Sequence, residues 1–119
     1  MCIRDRYIGD SPRGRCTSTA YKDLVWSVAT ATEESLDISG QTAEALDNLE
    51  KNLKELGSDK TKIISAQLFI AHIEDKKLMD EVWNQWIGSD PKHWPQRACV
   101  GADLGGNWLI EIVVTAIRG

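Results

Sequence analysis

Apolar positions fall along this chain in two rhythms. Between residues 41 and 56, Thr42, Ala45, Leu46, Leu49, Leu53 and Leu56 recur every three or four residues, which gathers them on one stripe of a helix. Asp37 and Ser39 both stand where a side chain can cap its start, and Gly57 stands where a helix closes on a residue of positive φ. A second helix is predicted over residues 76–87, with Leu78, Met79, Val82, Trp83, Trp86 and Ile87 on its stripe, Asp75 as N-cap and Gly88 as stop. Between the helices the period drops to two. Over residues 62–73, Ile64, Ala66, Leu68 and Ile70 share one face while Ser65 and Gln67 share the other, which predicts a strand with one buried side. The Trp83–Trp86 pair reads as core packing, and His72, inside an apolar run, reads as a packed core or edge residue.

Strand signals also stand at both ends. Ala20-Tyr21 and the run from Leu24 to Ala29 bracket the polar pair Lys22-Asp23, a hairpin pattern. Residues 98–104 and 108–117 flank Gly105-Gly106-Asn107, which reads as a second hairpin. The last run is apolar on both faces except at Glu111 and Thr115, so it needs cover on both sides: helices on one, a second subunit on the other. The order β-β-α-β-α-β-β predicts an α+β sandwich with two helices on one face of a mixed sheet. Residues 1–15 carry much charge and little periodicity. They read as a loose lead-in, its first half a candidate for sequence carried over from cloning or assembly, with a single domain over residues 16–119.

Composition narrows the class. A chain of 119 residues with 42% hydrophobic and 27% charged positions suits one soluble globular domain. A net charge of −4 with no basic stripe argues against a nucleic-acid surface. No apolar run reaches the roughly 18 residues of a membrane span, and the first residues lack the apolar core of a signal peptide. Cys2, Cys16 and Cys99 are an odd set without paired spacing, which favours reduced thiols in the cytoplasm over a disulfide framework. His72 and His93 are too isolated for a metal site, so neither metal nor cofactor is expected.

Candidate chemistry centres on Arg97, in the run Trp94-Pro95-Gln96-Arg97-Ala98-Cys99-Val100. It follows a proline and opens an apolar segment, so it sits where a loop becomes a strand. A guanidinium offers a fixed fork of N–H donors that matches two oxygens of one carboxylate. The alternative is a surface arginine paired with a local acid.

Five segments, taken in order, resemble the Rid family (reactive intermediate deaminases, also called YjgF). They are Gly40-Gln41-Thr42 with Ala45-Leu46-Asp47-Asn48-Leu49, then Leu56-Gly57-Ser58-Asp59-Lys60, Met79-Asp80-Glu81-Val82-Trp83, Pro95-Gln96-Arg97-Ala98-Cys99-Val100, and Ile110-Glu111-Ile112-Val113-Val114-Thr115-Ala116. The resemblance implies a chorismate-mutase-like fold assembled as a homotrimer with clefts between subunits. It implies hydrolysis of 2-imino or enamine acids to 2-keto acids and ammonia. It further implies that Arg97 holds the substrate carboxylate and that Cys99 lines the same pocket, largely through its backbone. A nucleophilic role for Cys99 is the lesser reading, since no histidine neighbours it in sequence.

Departures from the family pattern matter. Imine-hydrolysing members carry a second glutamate, which orders water, two residues beyond the one matching Glu111; here that residue is Val113. The family's aromatic pocket residue falls at about Arg15, a second cation that would suit a substrate with an extra acid or else sit in solvent. A glycine–glutamine pair reads Ala29-Thr30. Three functions therefore compete: an imine or enamine deaminase, a binding protein for 2-keto acids and similar carboxylates without turnover, and a trimeric interaction or chaperone-like protein. The residue at 113 separates the first from the second.

Overall fold

The computed structural model describes residues 4, 6–9 and 12–119; Cys2 lies outside them. The chain runs β1 (Arg6–Ile8), β2 (Ser18–Tyr21), β3 (Leu24–Ala29), α1 (Ile38–Glu55), β4 (Ile63–Ile70), α2 (Lys76–Ile87), β5 (Gln96–Gly101) and β6 (Ile110–Ile117). The strands form one six-stranded mixed sheet in the order β1-β2-β3-β6-β4-β5.

Both helices form where the periodicity demands. Asp37 caps α1 by accepting from the Gly40 N–H at 2.8 Å, and Gly57 takes φ +85° just past its end. The helix begins three residues before the expected Gln41, since Ile38 is itself buried. Leu46, Leu49 and Leu53 from α1 and Met79, Trp83 and Ile87 from α2 close over Leu68, Ile70, Ile112 and Val114 of the sheet. Burying each large side chain of this kind is worth about 1.5–3 kcal/mol. Strands β2 and β3 pair across Lys22-Asp23, with Lys22 at φ +53° as a two-residue hairpin turn requires.

Several expectations are corrected. The second hairpin does not form: β5 pairs in parallel with β4, and β6 pairs antiparallel with both β3 and β4. The connection through α2 carries the chain back to start β5 in the direction of β4, while the doubly apolar β6 takes the central place that its composition suits. Ile64 is 47% exposed rather than buried, because a register shift between Ile63 and Ser65 turns it to the other side. Asp75 makes no side-chain cap, since it closes the 3₁₀ turn Ile73–Asp75 with helical backbone angles. Leu78 and His72 are exposed; His72 lies beyond the end of β4. Within the segment read as a loose lead-in, Arg6–Ile8 adds an edge strand to β2.

Both helices lie on one side of the sheet, and among the described residues no element covers the other side. Trp26, Val100, Val113 and Ile117 sit on it at 37–44% exposure. Cross-strand register aligns Trp26 with Thr115 and Val28 with Val113.

Candidate functional site

Arg97 is the second residue of β5, beside Ala66 of β4 in the parallel ladder. Side chains alternate along β5, so Arg97 and Cys99 turn to the helix side while Ala98 and Val100 are exposed. The loop before the strand is tightly held. Asp90 accepts from the Lys92 N–H at 3.0 Å to start a 3₁₀ turn, and the Trp94 indole Nε1 donates to the Gly88 carbonyl at 2.9 Å. That bond ties the loop to the end of α2 and delivers Arg97 beside the helix.

There the guanidinium meets a prepared surface. Nη2 donates to Asp80 Oδ1 at 2.6 Å, Cζ stands 5.4 Å from the centre of the Trp83 ring, and Nη1 lies 4.0 Å from Met79 Sδ. Asp80 Oδ2 also accepts from Lys76 Nζ at 2.9 Å. Two cations therefore share one carboxylate, and the trio keeps a net charge of +1. Burial disfavours the charged form of Asp80, but hydrogen bonds from Lys76 and Arg97 outweigh it and hold the carboxyl below its ordinary range. Arg97 is 20% exposed and lines a pocket of about 380 Å³ with Trp83, Ile87, Trp94 and Pro95.

Cys99 packs against the core two residues on. Burial pushes its thiol pKa up, with Arg97 and Lys76 opposing. That is the setting of a neutral thiol rather than of an activated nucleophile.

Arg15 lies elsewhere. It is exposed, forms no salt bridge among the described residues, and lines a cleft of about 700 Å³ with Thr30, Asn48, Lys51 and Glu111. A second cleft of about 420 Å³ joins Arg15, Thr30 and Glu111 to Leu104 and Trp108. Within one chain, Arg97 lines neither of these. Glu111 and Val113 share the open face of β6, beside Phe69 and Gln67 respectively. Among the described residues no group of histidine, cysteine, aspartate and glutamate is arranged to hold a metal.

Asp80 is the site residue that sequence reasoning missed. Its i,i+4 spacing from Lys76 was legible, but its contact with Arg97, 17 positions away, depends on how α2 lies over β5.

A mixed six-stranded sheet with two helices on one face, bearing an arginine at the start of an edge strand, defines a recognisable class. Residues 26–118 match the family described as endoribonuclease L-PSP. A RutC family protein of Haemophilus ducreyi is 36% identical over 86 residues, covering 71% of this chain and 72% of that protein. The RutC family protein YoaB of Escherichia coli is 32% identical over 90 residues, covering 73% and 77%. The crystal structure of a YjgF-family protein from Neisseria meningitidis superposes with a TM-score of 0.88 at 30% identity, covering 99% of this chain and 98% of that one. The chain belongs to the YjgF/Rid family.

Proposed function

We propose that this protein hydrolyses reactive 2-imino or enamine acids to 2-keto acids and ammonia, with Arg97 anchoring the substrate carboxylate in a cleft between subunits. The observation that carries this reading is the prepared guanidinium: fixed before any ligand arrives by Asp80 and Trp83, yet part of a trio with one positive charge to spare. A carboxylate held there would orient the C=N carbon toward water, and a protonated imine needs little further activation. The β5 strand is the last of the sheet, so its free edge can face a neighbouring subunit. A homotrimer would also cover the apolar side carrying Trp26, Val113 and Ile117.

The test is ammonia release from freshly generated 2-iminopropanoate by wild type and Arg97→Ala, with light scattering to read the assembly. Turnover that is lost in Arg97→Ala while a trimer mass persists supports the reading; turnover unchanged in the variant ends it.

A second reading, a binding protein without turnover, is favoured by Val113. Its side chain has no group to order water, and Glu111 sits one step along the same face rather than in its place. The family description also names an RNA-cleaving activity. A chain of net charge −4 lacks the cation excess on which phosphate contact draws.

A further inference from the structure

The pocket beside Arg97 is walled mainly by large apolar side chains. Trp83 and Ile87 form its buried wall, Pro95 a rigid side, and Trp94, 54% exposed, stands at its edge. Trp94 is held there by its indole bond to the Gly88 carbonyl. The volume of about 380 Å³ falls within the range of small-molecule sites. Among the described residues, Arg97 is the single charged one in the lining, and Asn84 adds an amide.

Charge and shape together select a ligand class. The Lys76–Asp80–Arg97 trio offers one net positive charge, enough for one carboxylate. A ligand with a second acid would set that acid against tryptophan and isoleucine, at the cost of its hydration. Indole faces and an aliphatic wall instead suit a flat apolar group. Resting on the reading of Arg97 as the carboxylate anchor, we propose that this pocket receives the side chain of an aromatic or bulky apolar 2-oxo or 2-imino acid. The protein would thereby prefer such monocarboxylates over small or dicarboxylic ones. A methyl group, as in pyruvate, would leave most of the wall in water and gain little from it.

Calorimetric titration of the full chain with phenylpyruvate, pyruvate and 2-oxoglutarate tests this. Phenylpyruvate is expected to bind at least roughly tenfold more tightly than either of the others, the equivalent of burying part of one ring. Trp94→Ala is expected to shrink the phenylpyruvate-to-pyruvate ratio toward one, and Trp94→Phe to restore most of it. Because the ratio is read, a general loosening of the loop in Trp94→Ala does not imitate the result. The indole N–H resonance of Trp94 should also shift with phenylpyruvate and much less with pyruvate. Equal affinities for the three acids, or a ratio that Trp94→Ala leaves untouched, overturns the side-chain pocket while sparing the anchor. Affinities for all three that survive Arg97→Ala overturn the anchor itself, and the pocket assignment with it.

Discussion

Two arginines border clefts in this protein, and they are held in opposite ways. Arg97 leaves a regular strand, is four-fifths covered, and meets a carboxylate, a ring face and a thioether. Arg15 leaves an irregular segment, is exposed, and has no salt bridge among the described residues, though Glu111 lines the same cleft. A long cationic side chain that must be ordered by its ligand spends part of the interaction on lost rotamer freedom. One ordered in advance by its own fold does not. The difference shows what makes a charged residue a site: its environment in the third dimension, more than its charge.

The sharpest way to break this comparison is to remove each arginine in turn. Arg97→Ala should weaken pyruvate and related 2-keto acids on the order of 10²–10³-fold, as expected when a charge-assisted contact worth about 2–5 kcal/mol is lost. Arg15→Ala should cost less than about threefold, in line with an exposed charge. Calorimetry on both variants decides, and comparable losses would mean that the loose arginine is an equal partner in binding.

The next largest effect concerns the open face of β6, where Val113 stands two residues beyond Glu111. A general base ordinarily contributes about 10²–10⁴-fold. Val113→Glu should therefore raise turnover of 2-iminopropanoate, by nearer the lower end of that range because Glu111 faces the same way and repels a second carboxylate. Steady-state ammonia release measures it. A wild type already fast, and unmoved by the substitution, would show that another residue activates the water.

Asp80 supplies a smaller and more structural test. Asp80→Ala should loosen Arg97 and weaken keto-acid binding by about tenfold, while Asp80→Asn, which keeps an acceptor, should retain more of it. The carboxyl is held below its ordinary range in the folded state. Its contribution to stability is thus full above the unfolded pKa of about 3.9 and disappears as pH falls through the depressed folded value. Urea unfolding from pH 7 to pH 3 should show wild type losing its advantage over Asp80→Asn only at the acid end. A constant difference across that range would mean that the charge of Asp80 does not stabilise the fold.

How much of this was legible beforehand depended on the range of the interaction. The helices were readable because the repeat of Leu46, Leu49 and Leu53 and the cap at Asp37 are local facts. The place of β6 was only half readable. Its two apolar faces signalled cover on both sides but not which strands would flank it, and the glycines at 105 and 106 suggested a hairpin partner that it does not take. Strand neighbours are chosen by long-range pairing, and a turn-like sequence constrains only the turn. Ile64 was misplaced because a bulge between Ile63 and Ser65 breaks the period-two pattern there, while Ala66, Leu68 and Ile70 keep it. At the site, the position of Arg97 at the start of a strand was legible, while its partners Asp80 and Trp83 came from the docking of α2.

The smallest expected effect lies at Cys99, and it bears on whether the Arg97 side does covalent chemistry at all. Burial raises the thiol pKa, and the positive fields of Arg97 and Lys76 only partly offset it. Thiolate is the reactive form, so alkylation of Cys99 by iodoacetamide near neutral pH should run slower than that of a free thiol. Arg97→Ala should slow it further by a few-fold, and Asp80→Asn, by removing a negative neighbour, should quicken it slightly. Cys99→Ala should leave keto-acid affinity within about twofold, since the side chain packs into the core and the strand backbone stays in place. Mass spectrometry after timed labelling follows each rate. A Cys99 that reacts faster than a free thiol, and whose loss stops turnover, would recast Arg97 as the activator of a nucleophile, and the ordered cation would then serve the thiol before it serves the substrate.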